Sequence, residues 1–412
     1  MYSFVIYIYA LLIKLVSPFH PKAKRMLAGQ QQTFNTLKQQ LDPSARYIWV
    51  HAASLGEFEQ GRPLIEKLRM AHGEYKILLT FFSPSGYEVR KNYEGADIVC
   101  YLPMDTPGLS KQFLDLVSPA MAIFIKYEFW ANYLYGLKQR NIPTYIISAI
   151  FRKNQLFFKP YGAGYRKVLN CFNHLFVQDD VSAALLKAYG VDNVTVTGDT
   201  RFDRVADIQA QAQAIPLVDR FVHTAIAAKC FTLVAGSSWP ADEQFLLDYF
   251  NQHPDMKLII APHEIHESHL VAIESQLKRP SLRLSEATEA NVRSADCLII
   301  DCFGKLSSIY RYGEVAYIGG GFGTGIHNVL EAAVYGVPVL FGPNYHKFKE
   351  ARDLIAIKGG VSVPDGAAFA AQMDCYIKNN ALQLEAGEAA GQFVQRHIGA
   401  TDCVLKDLAQ LL

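Results

Sequence analysis

Two carboxylates and one glycine-rich loop carry most of the chemistry this sequence offers. In WVHAASLGEFEQGRPLIEKL a predicted strand enters a short Ser54-Leu55-Gly56 turn, and Glu57 stands at the head of a helix. A carboxylate there is aimed by a rigid element, and a general base acting on a hydroxyl needs position more than an extreme pKa. Helix-end amides favour its ionised form, whereas apolar walls oppose it. The plain alternative for Glu57 is an N-terminal helix charge; Glu59, two residues on, faces elsewhere. The second carboxylate lies in Lys126-Tyr127-Glu128-Phe129-Trp130, so Lys126 and Glu128 emerge at the carboxyl end of a strand. Ser83 occupies the corresponding turn after an earlier strand. Arg152 and Arg201 are candidate partners for an acidic sugar or a lipid phosphate, or else ordinary surface arginines.

The carboxyl half contains VAYIGGGFGTGIHNVLEAAVYGVPVLFGPNYHKFKEA. A strand leads into a loop with Gly319, Gly320, Gly321, Gly323 and Gly325, and the pattern predicts a helix from about Ile326 to about Tyr335. Glycines allow close backbone approach, and the amides of a helix start attract phosphate. On such a helix His327 and Glu331 share a face, with Asn328 beside them. A carboxylate there can accept both hydroxyls of a ribose, which suits a sugar-nucleotide; a helix cap beside a tight turn is the plain alternative. The loop is neither a GxGxxG opening a first lobe nor a phosphate loop ending in GK[ST]. GSSWPADE (236–243) places Ser237 and Ser238 between a strand and a helix that Pro240 begins, a second candidate phosphate contact. APHEIHE (261–267) adds His263 after a strand; the order of His263, Glu264 and His266 does not match HExxH, and no metal is expected.

The elements needed to position these groups are legible from Tyr47 onward. YIWVHA, KILLTFF, IVCYLP, MAIFIK, TYIISAI, HLFVQ and VTVTG read as strands, separated by helical patterns. After an Ala- and Gln-rich stretch, FTLVAGS, KLIIAP, CLIID, VAYIG and VPVLFG form a second series. Continuously apolar strands alternating with helices indicate parallel sheets covered on both faces. The expected class is α/β, with two Rossmann-like domains facing a central cleft, ligands binding beyond the carboxyl ends of the strands. Expected boundaries are an anchor segment at 1–30, a first domain at 31–205, a connector at 206–228 and a second domain at 229–412. The final helices are expected to pack back on the first domain.

The chain has 412 residues, and its 40 Lys and Arg nearly cancel 39 Asp and Glu, which argues against a nonspecific nucleic-acid binder. Its 7 cysteines include no CxxC pair, and a disulfide framework is not expected. The ends are less even. Residues 1–16 are apolar or aromatic apart from Ser3 and Lys14; Lys22, Lys24 and Arg25 follow, with no acid before Asp42. That run is shorter than the about 20 residues of a full span. Its basic flank favours attachment to a membrane with the body on the cytoplasmic side, the helix inserted or lying in the leaflet. A helix packed on the protein's own surface is the alternative.

Taken together, WVHAASLGE, KYEFWAN, GSSWPADE and YIGGGFGTGIHNVLEAAVYGVPVLFGP resemble the 3-deoxy-D-manno-octulosonic acid (Kdo) transferase family, from the amino-terminal segment to about residue 360. The resemblance implies a two-domain GT-B glycosyltransferase. It further implies transfer of Kdo from CMP-Kdo to the lipid A precursor, lipid IVA, at the cytoplasmic face of the inner membrane. Inversion at the anomeric carbon, with no metal or cofactor, is implied as well. By that resemblance Glu57 falls on the proposed base and Glu128 on a second functional acid, so 31–205 would bind the acceptor. Ser237, Ser238, His263, Gly321, Gly323, Gly325, His327, Asn328 and Glu331 would line the CMP-Kdo pocket of the second domain. Ser83, Lys126, Arg152 and Arg201 remain candidate acceptor or anion contacts. Two departures stand out: Lys126-Tyr127 replaces an acidic residue and Thr, and Ala261-Pro262-His263 replaces Arg-His-Pro.

Overall fold

The computed structural model describes residues 2–223 and 230–409. Residue 1 of the expected anchor, 224–228 of the connector, and 229 and 410–412 of the second domain lie outside the described residues. The chain divides into two compact units, Met1–Arg204 with Gly399–Leu412, and Val205–Ile398. The helix Pro216–Val222, inside the expected connector, therefore falls within the second unit, with Val218, Phe221 and Val222 buried. The last helix, Ala400–Leu408, belongs to the first.

The first unit is built on seven parallel strands: β1 (Arg46–Ala52), β2 (Tyr75–Phe81), β3 (Ile98–Tyr101), β4 (Met121–Ile125), β5 (Thr144–Ala149), β6 (His174–Val177) and β7 (Val194–Val196). Successive side chains of β1 go to opposite faces: Tyr47 and Trp49 join one apolar cluster, Ile48 and Val50 another. Both faces are covered, which is why these strands read as unbroken apolar runs. Helices α1 (Tyr2–Val16) and α2 (Pro21–Gln40) precede β1 and meet at a bend of 118°. Pro21 starts α2 and the His20 ring accepts the Ala23 N–H, so the second helix has its own beginning. Helices α3 (Leu55–Ala71), α4 (Pro84–Arg90), α5 (Pro107–Val117) and α6 (Ala131–Gln139) follow β1 to β4 in turn.

The second unit repeats the plan with β8 (Phe231–Ser238), β9 (Met256–Pro262), β10 (Ser281–Arg283), β11 (Cys297–Ile299), β12 (Val315–Ile318), β13 (Val339–Phe341) and β14 (Gly360–Ser362). Strands β10 and β14 have the sequences SLR and GVS, which are not apolar runs and do not read as strands. One expectation fails here. The helix predicted from Ile326 to Tyr335 covers only Leu330–Ala333, because Gly319 O takes the His327 N–H and holds 327 outside the helix.

Strand order decides where chemistry can gather. The first sheet runs β3-β2-β1-β4-β5-β6-β7, the second β10-β11-β9-β8-β12-β13-β14. The order turns between β1 and β4 in the first sheet and between β8 and β12 in the second, where β10 and β11 are also exchanged at the edge. At such a switch point the loops leaving the carboxyl ends diverge to opposite faces and open a crevice. Glu57 and Glu128 follow the first pair of strands. Ser237 and Ser238 end β8, and the glycine loop follows β12.

Candidate functional site

In the first unit, Ser54 is the N-cap of α3 and Glu57 its third residue. The Ser54 backbone N–H and hydroxyl donate to Glu57 Oε2 at 2.9 and 2.7 Å, which fixes the carboxylate against the helix start. Burial, then the charge of Glu128, raises the Glu57 carboxyl above its ordinary value; the Ser54 hydroxyl, Lys126 and His51 oppose this. Both acids thus sit within electrostatic reach of each other, although 71 residues separate them in the chain.

Glu128 is 7% exposed. Its Oε2 lies 3.2 Å from His51 Nε2 and accepts the Trp130 indole N–H at 2.5 Å. His51, at the end of β1, has Nδ1 at 2.8 Å from Thr80 Oγ1, and that hydroxyl also accepts the Trp49 indole N–H. The turn carrying these groups is tight: Lys126 has φ 65°, a left-handed conformation a β-carbon makes costly by about 1–3 kcal/mol. It is held by Lys126 N–H donating to Ile147 O and by Tyr127 N–H donating to Ile125 O.

Cations surround Tyr127. The Lys126 ammonium lies 5.4 Å from its ring, and Arg152 Nη1 donates to its hydroxyl at 3.1 Å. Burial raises the Tyr127 phenol, while the charges of Arg152 and Arg201 pull it down. Arg201 is anchored on buried Asp199, with Nε and Nη2 donating to Oδ2 at 2.9 and 2.7 Å; that neighbour lowers the Asp199 carboxyl against its burial. Ser83 caps α4 through Ser85 N–H, and its own N–H donates to Ala53 O, which draws the loops after β1 and β2 together. Of the amino-terminal candidates, Glu57, Glu128, Lys126 and Arg152 therefore gather, Arg201 joins them from a fixed mount, and Ser83 acts on the loops.

In the second unit, Ser237 has φ 52° where β8 slips its register against β9. Ser238 differs from the expectation: its side chain is buried and donates to Glu243 Oε1 at 2.9 Å, pointing into the fold. Glu243 Oε2 in turn meets His269 Nε2 at 2.8 Å. Asp242 ties the helix Pro240–Gln252 to the glycine loop, accepting the Trp239 and Gly320 N–H groups and the Tyr317 hydroxyl. A β-carbon at Gly321 would lie 2.5 Å from Gly342 Cα, and Gly325 has φ 141°, so backbone packing alone requires two of the candidate glycines. Gly323 is exposed, its N–H bonded to Gly320 O.

Three rings stack beside that loop. Trp239 lies on His263 at 4.6 Å between centroids, and His263 on His327 at 4.5 Å. The Trp239 indole N–H donates to His327 Nε2 at 3.3 Å. Burial and the neighbouring His263 lower the His327 pKa to about 4, so the ring is neutral near pH 7 and carries its proton on Nδ1. Glu331 accepts the Ser307 hydroxyl at 2.5 Å and the Asn328 amide at 3.2 Å, while Asn328 Oδ1 caps the Leu330 N–H. Among the described residues no three His, Cys, Asp or Glu side chains are grouped to hold a metal.

Sequence reasoning passed over His51, Trp130, Asp199, Trp239, Asp242, Glu243 and Ser307. Two of them, Asp242 and Glu243, carried a signal: acids in the first turn of a predicted helix, beside the quoted Ser-Ser pair.

A family model described as 3-deoxy-D-manno-octulosonic-acid transferase (kdotransferase) matches residues 25–204. The 3-deoxy-D-manno-octulosonic acid transferase of Aquifex aeolicus is 28% identical over 318 residues, covering 76% of this chain and 80% of that protein. That of Bordetella pertussis is 28% identical over 390 residues, covering 90% and 88%. Among solved structures, UDP-GlcNAc 2-epimerase from Neisseria meningitidis bound to UDP-GlcNAc is similar at 13% identity and a TM-score of 0.61, covering 88% of this chain and 100% of that one. Such a distant likeness speaks to the fold, a GT-B pair of parallel-sheet α/β domains. The Bordetella relative spans both switch-point sites, so the chain is similar to Kdo transferases over most of its length.

Proposed function

We propose that this protein transfers Kdo from CMP-Kdo to the lipid A precursor, with inversion, in lipopolysaccharide synthesis. The observation that carries the reading is Glu57: a partly buried carboxylate, held through one oxygen at a switch point, with its pKa raised. Such a group accepts a proton more readily than a solvated carboxylate and needs no reorientation. In the proposed step the acceptor hydroxyl loses its proton to Glu57 as its oxygen bonds to the anomeric carbon. The bond from that carbon to the CMP phosphate breaks, and CMP leaves with the electron pair. Lys126 and Arg152 supply positive charge on the acceptor side, suited to the phosphates of a lipid A precursor. Glu331 and neutral His327 supply an acceptor and a donor on the nucleotide side. No cofactor takes part in these steps.

Membrane attachment belongs to the same proposal. Among the described residues no single helix is long and apolar enough to cross a membrane. Helix α1 nevertheless leaves Phe4, Leu11, Leu12 and Leu15 exposed, and Lys22, Lys24 and Arg25 follow it. An exposed apolar face with a basic flank suits the anionic cytoplasmic leaflet of an inner membrane, where the acceptor lipid would reside.

The deciding experiment is Kdo transfer from CMP-Kdo to tetraacylated lipid A precursor in vesicles, with products counted by mass and the anomeric configuration read by NMR. Absence of transfer, or donor-site competition by UDP and not CMP, would replace the reading with a UDP-sugar enzyme. Retention of configuration would remove inversion alone.

A further inference from the structure

The first turn of α1 does more than expose apolar side chains. The Tyr2 hydroxyl donates to Asp105 Oδ2 at 2.6 Å and accepts the Ala131 N–H at 3.3 Å. The next residue, Ser3, donates to Asn132 Oδ1 at 3.0 Å. Asp105, in the loop after β3, is fully buried and accepts the backbone N–H groups of Asn132 and Tyr133 at 3.1 and 3.0 Å. Those amides open α6, whose own N-cap, Trp130, provides no side-chain bond. A remote aspartate thus caps the helix, and Tyr2 holds the aspartate. Tyr165 completes the grip: it stacks on Tyr2 at 5.6 Å and donates to Phe129 O at 2.8 Å. Phe129, Ala131, Asn132 and Tyr133 are therefore all held by Tyr2 or by a group it touches, and Glu128 immediately precedes them.

We propose that Tyr2 is a positioning residue for Glu128, so that the anchor helix fixes the acidic site as well as the protein's place on the membrane. The proposal rests on the reading above, in which Glu128 serves transfer. A purely apolar role for Tyr2 would be filled by the ring alone. The hydroxyl instead gives a buried carboxylate a charge-assisted donor, and its loss leaves that carboxylate under-bonded where it caps α6.

The test uses the full chain on vesicles of phosphatidylethanolamine and phosphatidylglycerol. Tyr2→Phe keeps the ring stack and removes the hydroxyl; Asp105→Asn perturbs the same bond from its other end. Vesicle cosedimentation and CMP affinity are expected to stay within about twofold of wild type, while kcat falls about tenfold, the worth of one hydrogen bond to a charged group. Deuterium uptake over residues 128–133 is expected to rise in both variants, without substrate present. Combined with Glu128→Gln, Tyr2→Phe is expected to add little further loss, because both act through one group. Wild-type kcat in Tyr2→Phe, fully additive losses, or a loss explained by weaker vesicle binding would each overturn the proposal. If the wild-type protein transfers no Kdo, the functional reading fails instead, and the exchange measurement still reports whether Tyr2 holds the segment.

Discussion

Ser54 grips Glu57 through one oxygen only: its N–H and its hydroxyl both donate to Oε2, at 2.9 and 2.7 Å. That leaves Oε1 for a proton from elsewhere, and it couples the helix cap to the proposed base.

Glu57→Gln is therefore expected to lower kcat by roughly 10²–10⁴-fold, the range for loss of a general base, with CMP affinity intact. Ser54→Ala tests the coupling. A base works deprotonated, so the rate falls as pH drops through its pKa; the Ser54 hydroxyl lowers the Glu57 value, and its removal should move this acid limb to higher pH. A pH profile of kcat/KM reads the shift. A limb that stays put would separate Glu57 from the rate.

Glu128→Gln should act in the opposite sense. The Glu128 charge raises the Glu57 carboxyl, so neutralising it lets Glu57 ionise more easily and moves the acid limb to lower pH, whatever the loss in maximal rate. The same pH profile decides this. An upward shift would mean that Glu128 does not act on Glu57 as a like charge.

Trp239→Phe retains a ring for the stack with His263 and removes the indole N–H from His327 Nε2. The variant should populate both neutral tautomers of His327, visible in the ¹⁵N shifts of labelled imidazole. Donor binding should weaken by a factor of about 3–10, the worth of one neutral hydrogen bond. An unchanged His327 spectrum would show that Trp239 does not set the tautomer.

Glu331→Ala removes the acceptor for Ser307 and Asn328. CMP affinity, measured calorimetrically, should fall about 10–100-fold, as for a lost hydrogen bond involving a charge. Ser307→Ala should reproduce a smaller part of that loss. Unaltered CMP binding in Glu331→Ala would take this carboxylate out of the donor site.

Much of the fold is legible in the sequence because a parallel sheet buried on both faces forces unbroken apolar runs such as MAIFIK, and helices must alternate with them. Glu57 is legible for the same reason: a turn and a helix start are local features, and their composition announces them. The helix expected around His327 shows the limit. Local pattern gave it ten residues, whereas the Gly319 carbonyl, a partner from the preceding strand end, shortens it to Leu330–Ala333. Ser238 is a similar case, since composition marks a serine before a helix but not that Glu243 turns its hydroxyl inward.

By itself the sequence determined the two βα series, the strand ends at which chemistry emerges and the residue types placed there. Only the tertiary structure decided which of those ends become neighbours. His51 meets Glu128 across 77 residues and Trp239 meets His327 across 88, because β1 lies beside β4 and β8 beside β12. Periodicity records whether a side chain is buried and on which face. It carries no record of strand order, and strand order is what brings distant carboxylates, rings and cations within bonding distance.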